Sequence, residues 1–351
     1  MLTSKQIKEV RDHLDKAQNP LFFFDNDGDG LCSFLLLQRY LGRGKGVPIR
    51  SFPDLNVDYV RRIVELNADY IFILDKPVVS LEFLEEVFKL NVPIVWIDHH
   101  EIDKSTVPDF VNYYNPVFNK IKSNEPTTYL SYQITQKNED VWIAVLGCVA
   151  DGLVPEFYSE FLERYPDLSI KSDNAFEIFY NSQIGKILKL FSFGLKDRVT
   201  NVVQMLKFLM KVKTPYEILE ETKNNYSMHK RFKEIDQKYK KLIGEVDRIS
   251  DKGKLLFFSY GGDMSMSADL ANELSYRNPE KFIIVGYVSG VKVNISGRGN
   301  NVRGLVLKAI EGLKDARGGG HENAVGAQVR IEDFEKFKER MEELVNSQQN
   351  L

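Results

Sequence analysis

Residues 20 to 115 alternate short apolar runs with amphipathic stretches of helical period. The apolar runs predict strands near 20 to 25, 48 to 52, 69 to 74 and 93 to 97, and the stretches between them predict helices at 31 to 43, 57 to 66 and 80 to 90. Strands that alternate with helices are typical of a largely parallel sheet with helices on both faces. We therefore expect an α/β fold in this part of the chain.

The pattern is mostly helical from Thr127 to about Ile249. The apolar segment from Trp142 to Ala150 is predicted to be a helix because of its length and its alanines. Apolar residues spaced by three or four predict one long helix: Phe232, Ile235, Tyr239, Leu242, Val246 and Ile249. The lysines on its other positions indicate a solvated face, or a face turned towards a phosphate backbone.

After Ile249 the pattern changes to strands again. Strands are predicted at Lys254 to Tyr260, Phe282 to Val288 and Val291 to Ser296, with a helix at Ser267 to Tyr276. A length of 351 residues indicates more than one domain. We expect an N-terminal domain at 1-195, a helical connector at 196-250 and a smaller C-terminal α/β domain at 251-351.

Three alternating carboxylates follow the first predicted strand, at Asp25, Asp27 and Asp29. The carboxyl ends of strands in open α/β sheets are where such sheets bind ligands. Three crowded negative charges repel one another unless a cation lies between them, which favours a metal site. A solvated acidic turn is the alternative interpretation.

Two other interpretations of the same turn do not fit. An EF-hand loop needs a closing glutamate, and Leu36 occupies that position. A dinucleotide-binding turn needs a third glycine, but Ser33 follows Gly28 and Gly30 at that spacing.

Polar residues also follow the other predicted strands. The apolar run of the last of these strands leads into Asp98, His99 and His100. Imidazole beside carboxylates suits Mn²⁺ and related divalent ions. Two more apolar segments end in aspartates, Asp75 and Asp151.

Together these motifs resemble the DHH phosphoesterase superfamily. Four N-terminal motifs of that superfamily are similar to Asp27-Gly28-Asp29-Gly30, Asp75, Asp98-His99-His100 and Asp151-Gly152. A fifth, the glycine-rich signature of the DHH-associated C-terminal domain, is similar to the segment Gly318 to Gly326. The five motifs occur in family order and cover nearly the whole chain.

The resemblance implies a site for two Mn²⁺ or Mg²⁺ ions, bridged by Asp75 in the N-terminal domain. Asp27 would belong to one ion. Many members carry a histidine at the position of Phe23, and Asp25 is a further candidate ligand in its place, as in the RecJ-like branch. Three residues would hold the other ion: Asp29, His99 and Asp151.

The resemblance also implies two catalytic residues. His100 would face the substrate, binding phosphate or assisting the leaving oxygen, and Asp98 would orient the histidine pair. Two such ions, about 3.5 to 4 Å apart, lower the pKa of a water molecule and neutralise charge on the attacked phosphorus.

The C-terminal domain is expected to bind substrate. An arginine between glycines, Arg298, can grip phosphate in a bidentate manner. Gly319 and Gly320, which precede His321, are expected to form a tight loop whose amides face an anion.

The resemblance implies a phosphodiesterase that degrades single-stranded RNA or DNA, or short oligonucleotides, from their ends, as a RecJ-like exonuclease or a nanoRNase. Two alternatives stay open. One is a catalytically weak scaffold of replication or repair that binds single strands. The other is a phosphatase or phosphodiesterase acting on phosphoadenosine phosphate or cyclic dinucleotides.

Composition is consistent with an enzyme of the cytoplasm. A formal net charge of -3 gives no global basic surface, so nucleic acid would contact a local groove. Two cysteines give no disulfide framework and fit a reducing compartment. No run approaches the roughly 18 apolar residues of a membrane span, so no membrane partner is expected. A homodimer is one arrangement that the sequence allows.

Overall fold

The computed structural model describes residues 1–50, 54–248 and 253–347. The chain divides into two units, Met1–Lys233 and Glu234–Leu351. Each unit has its own five-stranded sheet, and the predicted α/β fold is confirmed. Ile249, the predicted boundary at 250 and positions 51 and 52 of the second predicted strand lie outside the described residues.

The sheet of the first unit is entirely parallel, with strand order β2-β1-β3-β4-β5. Its strands are β1 (Pro20–Asp25), β2 (Lys45–Ile49), β3 (Tyr70–Leu74), β4 (Ile94–Ile97) and β5 (Asn112–Tyr114). The prediction of four strands is confirmed, although β2 begins and ends earlier than expected. The short edge strand β5 was not predicted.

Helices pack on both faces of this sheet, and further helices follow along the chain of the first unit. They are α1 (Ser4–Lys16), α2 (Gly28–Leu41), α3 (Val60–Glu65), α4 (Leu81–Lys89), α5 (Thr127–Thr135), α6 (Val141–Ala150), α7 (Tyr158–Arg164), α8 (Ala175–Asn181), α9 (Gln183–Leu195), α10 (Val199–Leu209) and α11 (Tyr216–Leu219). Short 3-10 helices lie at Val57–Tyr59, Lys104–Thr106, Pro116–Phe118 and Asn138–Asp140. The predicted helix over the segment that precedes Asp151 is confirmed as α6.

Two hydrophobic layers sandwich the parallel sheet, because successive side chains of a strand point to opposite faces. On one face Phe22 stacks on Phe72 at a centroid distance of 5.0 Å. On the other face Phe23 meets the edge of Phe83 at 5.7 Å and is fully buried. Burial on both faces explains why β1 is a continuous apolar run rather than an alternating one.

The long helix α12 (Tyr226–Val246) carries the predicted apolar stripe. Ile235, Tyr239 and Val246 are buried. Its lysines form ion pairs on the exposed face, such as Lys238 with Asp263 at 2.8 Å. The structure therefore favours the solvated face over a phosphate-binding one. Among the described residues, no helix is both long and apolar enough to cross a membrane.

The sheet of the second unit is mixed, with order β6-β7-β8-β10-β9, and β6 and β7 are its parallel pair. Its strands are β6 (Leu255–Gly261), β7 (Phe282–Ser289), β8 (Lys292–Arg298), β9 (Arg317–His321) and β10 (Ala324–Arg330). Its helices are α13 (Ser267–Arg277), α14 (Val302–Ile310) and α15 (Phe334–Ser347), with a 3-10 helix at Ile331–Asp333.

The glycines before His321 are in a strand, so the prediction of a tight loop was wrong. Gly319 and Gly320 belong to β9 and pair with Gly326 and Val325 of β10. The chain turns after His321 instead. Gly320 has φ of +140°, and a Cβ at this position would collide with the carbonyl oxygen of Ala324, so the strand requires glycine here.

Candidate metal centre

Three adjacent parallel strands end in carboxylates. Asp25 is the last residue of β1, and Asp75 and Asp98 directly follow β3 and β4. Because parallel strands point the same way, these residues lie at one edge of the sheet. The β1/β3 pair is also where the strand order reverses, the place at which open α/β sheets bind ligands.

The other predicted ligands come from helix ends beside this edge. Asp27 caps α2, and its Oδ1 accepts a hydrogen bond of 2.9 Å from the backbone N–H of Gly30. Asp29 lies in the first turn of the same helix. Asp151 directly follows the carboxyl end of α6.

The predicted ligands form overlapping groups in which the possible ligand atoms lie within 4.8 Å of one another. The groups are Asp25, Asp27 and Asp75; Asp29, His99 and Asp151; and Asp75, His99 and His100. Nε2 of His99 is 3.4 Å from Oδ1 of Asp75 and 3.7 Å from Oδ2 of Asp151. Asp75 belongs to the first and third of these groups, and His99 belongs to the second and third. These two residues therefore connect all three groups.

A backbone carbonyl fixes the ring orientation of His99. Nδ1 lies 3.1 Å from the carbonyl oxygen of Asn124, which can only accept, so Nδ1 carries the proton that is donated. Nε2 then faces the carboxylates. Histidines that bind metals are held in this way, with the second ring nitrogen hydrogen-bonded to a fixed acceptor.

The amino terminus of α5 holds Asp29. The backbone N–H groups of Thr127 and Thr128 donate to its two carboxylate oxygens at 2.9 and 2.7 Å. These amides belong to the first turn of the helix, where N–H groups have no partner within the helix. The hydroxyl of Thr127 also donates to Oδ1 of Asp75 at 3.2 Å, so one residue links the two groups. The sequence prediction missed both threonines.

Asp75 has an unusual backbone conformation. Its φ is +60°, which non-glycine residues rarely adopt, although aspartate and asparagine tolerate it best. Its N–H donates to the carbonyl oxygen of Ile97 at 3.0 Å, which continues the β3/β4 pairing beyond the strand. Such conformations concentrate at functional sites.

The crowded carboxylates hold protons more tightly than ordinary aspartates. Burial, followed by repulsion from Asp25 and Asp29, raises the pKa of Asp27 well above its usual range, even though part of its side chain reaches the surface. Burial and repulsion from Asp29 and Asp27 do the same for the pKa of Asp75. Desolvation and the charge of Asp29 raise the pKa of Asp151 to about 6, although 38% of its side chain is exposed.

His99 shows the complementary shift. Burial by itself would lower its pKa, but the hydrogen bond and charge of Asp75, with the charges of Asp151 and Asp29, raise it well above its usual range. Carboxylates and imidazole in this cluster therefore compete with one another for protons. Oxygen ligands with an imidazole fit Mn²⁺ or Mg²⁺.

Asp98 contacts His100. The carboxylate is completely buried, and its Oδ1 is 2.8 Å from Nδ1 of His100. Burial alone would raise the pKa of Asp98, but the hydrogen bond and charge of His100 outweigh it and the pKa is lowered. Asn115 donates to the carbonyl oxygen of His100 at 2.8 Å, and Tyr113 donates to Asp98 Oδ2 at 3.4 Å.

A buried lysine at this edge was also missed by the sequence prediction. Nζ of Lys76, the residue after Asp75, lies 2.9 Å from Oδ1 of Asp25. The lysine side chain is 2% exposed. In the sequence, this lysine stands out only by its position directly after Asp75.

In the second unit, Arg298 and His321 share one end and one face of the sheet. Arg298 of β8 lies opposite Ala324 of β10, which in turn lies opposite His321 of β9. Directly opposed residues of antiparallel strands present their side chains on the same face. Nε of Arg298 donates to Oδ1 of Asn272 in α13 at 2.6 Å, which fixes the guanidinium.

Family comparison agrees with both halves of this description. Residues 21–153 match the DHH family, N-terminal domain, and residues 251–347 match the DHHA1 domain. The chain therefore contains a DHH N-terminal domain followed by a DHHA1 domain. In this DHH protein the first match contains every predicted metal ligand, and the second contains Arg298 and His321. A search of curated protein sequences gives no significant match.

Solved structures share the fold of this DHH protein. RecJ from Thermus thermophilus in complex with Mn²⁺ has a TM-score of 0.69 at 18% identity, over 98% of this chain and 54% of RecJ. Another structure, of exonuclease RecJ bound to manganese, has a TM-score of 0.62 at 17% identity, over 99% and 95% of the two chains. CDC45 from Entamoeba histolytica has a TM-score of 0.51 at 11% identity, over 97% and 99%. The DHH protein therefore spans about half the length of the Thermus RecJ chain.

Proposed function

We propose that this DHH protein is a metal-dependent phosphodiesterase that hydrolyses single-stranded nucleic acid, or short oligonucleotides, from an end. The observation that carries the proposal is the meeting of two candidate ligand groups at Asp75. Two divalent cations bound there would neutralise charge on a phosphodiester and lower the pKa of the attacking water. Manganese and magnesium, which the neighbouring RecJ structures carry, are the proposed ions.

The ligands divide into two sets that share Asp75. Asp27 and Asp75 would hold the first ion, with Asp25 as the additional candidate. Three residues would complete the second ion: Asp29, His99 and Asp151. The hydrogen bonds from α5 and from Asn124 keep Asp29 and His99 in position without using Nε2 of the histidine.

His100 is the proposed substrate-facing residue. Its Nδ1 is engaged by Asp98, so Nε2 is the ring atom assigned to the phosphate or to the leaving oxygen. The buried Asp98 accepts a hydrogen bond from Nδ1 and so fixes the orientation of the ring. No side-chain nucleophile is required, because water is the attacking group.

The second unit is proposed to hold the substrate. Arg298 and His321 lie on strands that flank β10, so their backbones are about 10 Å apart at the usual strand spacing. Two cationic or hydrogen-bonding groups at this separation can contact neighbouring phosphates of an extended strand. Gly319, two residues before His321 in β9, carries no side chain, and a Cβ at that position would meet open space.

Digestion of end-labelled oligonucleotides tests the proposal. The full chain is incubated with MnCl₂ and RNA or DNA of two to about thirty nucleotides, and products are followed as a ladder over time. The expected result is stepwise shortening that EDTA stops and that the Asp75→Asn variant lacks. Asp58→Asn, which changes an exposed carboxylate elsewhere in the first unit, is the matched control. Binding of the strands without any shortening would instead favour a single-strand-binding scaffold.

A further inference from the structure

Lys76 is an uncommon buried charge. Its side chain is 2% exposed, and lysine is almost never fully buried unless it is paired. Its partner is Asp25, at 2.9 Å from Nζ to Oδ1. Neither the family motifs nor the two-metal scheme above gives this lysine a role.

Contacts hold both the side chain and the backbone of Lys76. The ammonium group donates a hydrogen bond to Oδ1 of Asp25. The backbone is fixed as well, because Nε1 of Trp96 donates to the carbonyl oxygen of Lys76 at 3.0 Å. A fixed positive charge therefore lies beside the first ligand group.

That charge changes the electrostatics of the first group. Asp25, Asp27 and Asp75 contribute three negative charges when ionised, and the ammonium of Lys76 reduces the total to two. The hydrogen bond also engages one of the two oxygens that Asp25 could offer to a metal. Both effects oppose the binding of a divalent cation at this position.

We propose that Lys76 is a positioning residue that neutralises Asp25 and withholds its Oδ1 from the first metal ion. This inference rests on the proposed two-metal function. The first ion is consequently held less tightly than three ionised carboxylates would hold it, and Lys76 sets that affinity. A buried pair that served the fold alone would affect stability and leave the affinity for metal unchanged.

Titration of the full chain with MnCl₂, by calorimetry, tests the role of Lys76. The central variant is Lys76→Met, which removes the charge and keeps an unbranched side chain. Lys76→Arg retains the charge. Asp25→Asn combined with Lys76→Met removes one charge of each sign. Lys89→Met is the matched control, because Lys89 is a paired lysine of the same unit that is 66% exposed.

In Lys76→Met, the Kd of the weaker of two Mn²⁺ ions should fall by at least about tenfold, because a nearby positive charge is gone. The Tm of this variant in EDTA should be lower than that of the unaltered chain, so metal binding and metal-free stability change in opposite directions. Lys76→Arg, Lys89→Met and the double variant should each stay within about threefold of the original Kd.

An unchanged or higher Kd in Lys76→Met would overturn the inference. Loss of one ion from the double variant would also overturn it, because Asp25 would then be an indispensable ligand. If Lys76→Met does not fold, the double variant decides. Two bound ions with a Kd within about threefold of the original support the inference, and loss of one ion or a larger change in Kd overturns it. Failure of the unaltered chain to bind Mn²⁺ would instead refute the proposed function.

Discussion

The buried carboxylate of Asp98 lies 2.8 Å from Nδ1 of His100 and leaves the rest of that imidazole partly exposed, at 21% for the side chain. This contact fixes the orientation of the His100 ring and, in the neutral ring, places the proton on Nδ1. It is the arrangement expected of a histidine that exchanges a proton with a substrate.

We predict that Asp98→Asn lowers kcat on the order of 10- to 100-fold, because the amide is a weaker acceptor for Nδ1 and no longer fixes the orientation and tautomer of the ring. Manganese content should stay unchanged, since Asp98 belongs to none of the metal-binding groups. Hydrolysis rates and metal analysis of the same preparation measure both quantities. A parallel loss of metal would assign Asp98 to the metal shell.

Manganese binding should strengthen with rising pH. Asp151, whose pKa is raised to about 6, must be ionised to bind a cation, and His99, whose pKa is also raised, must lose its proton. The increase in Tm at a fixed Mn²⁺ concentration should therefore grow from about pH 5.5 to about pH 8. A constant or shrinking increase would contradict competition between protons and metal at these residues.

In EDTA, without bound metal, the raised pKa of Asp151 makes the folded chain less stable as pH rises. An unfolded Asp151 ionises near 3.8, whereas the folded one ionises near 6. The folded, metal-free chain thus binds the extra proton between these values, and Asp151 reduces stability as pH rises through that window. Comparing Asp151→Asn with the unaltered chain in EDTA isolates this effect. The Tm of Asp151→Asn should exceed that of the unaltered chain by an amount that grows from about pH 4 to about pH 6.5.

Arg298→Ala and His321→Ala should each raise the apparent KM for short RNA or lower kcat, on the order of tenfold, because a phosphate contact is lost and a misplaced phosphate reacts slowly even at an intact metal site. Their manganese content should equal that of the unaltered chain. Lys292→Ala, at the opposite end of β8, is the control. Unchanged kinetics in both test variants would remove the second unit from substrate binding.

The fold of the first unit was largely predictable because its strands are buried on both faces and so form uninterrupted apolar runs. β5 was missed since three residues, Asn112–Tyr114, carry too little pattern. The edge strand β9 was taken for a loop because glycine is depleted in strands. Its pairing with β10 becomes apparent only from the register of the sheet.

Asp25, Asp75 and Asp98 were predictable as site residues because each lies at the end of an apolar strand. The residues that hold these carboxylates in place could not be predicted from the sequence. Lys76 is 51 residues from Asp25 along the chain, and Thr128 is 99 residues from Asp29. An isolated lysine or threonine has no periodicity or spacing that indicates its partner, so tertiary structure alone reveals these contacts.

Anomalous diffraction from crystals grown with MnCl₂ tests the two-metal site most directly. We predict two manganese peaks, one among Asp25, Asp27 and Asp75 and the other among Asp29, His99 and Asp151. The Asp75→Asn variant, which keeps a residue suited to φ of +60°, should lose the pair of peaks. A single peak, or manganese bound only elsewhere, would contradict a site in which Asp75 bridges two ions.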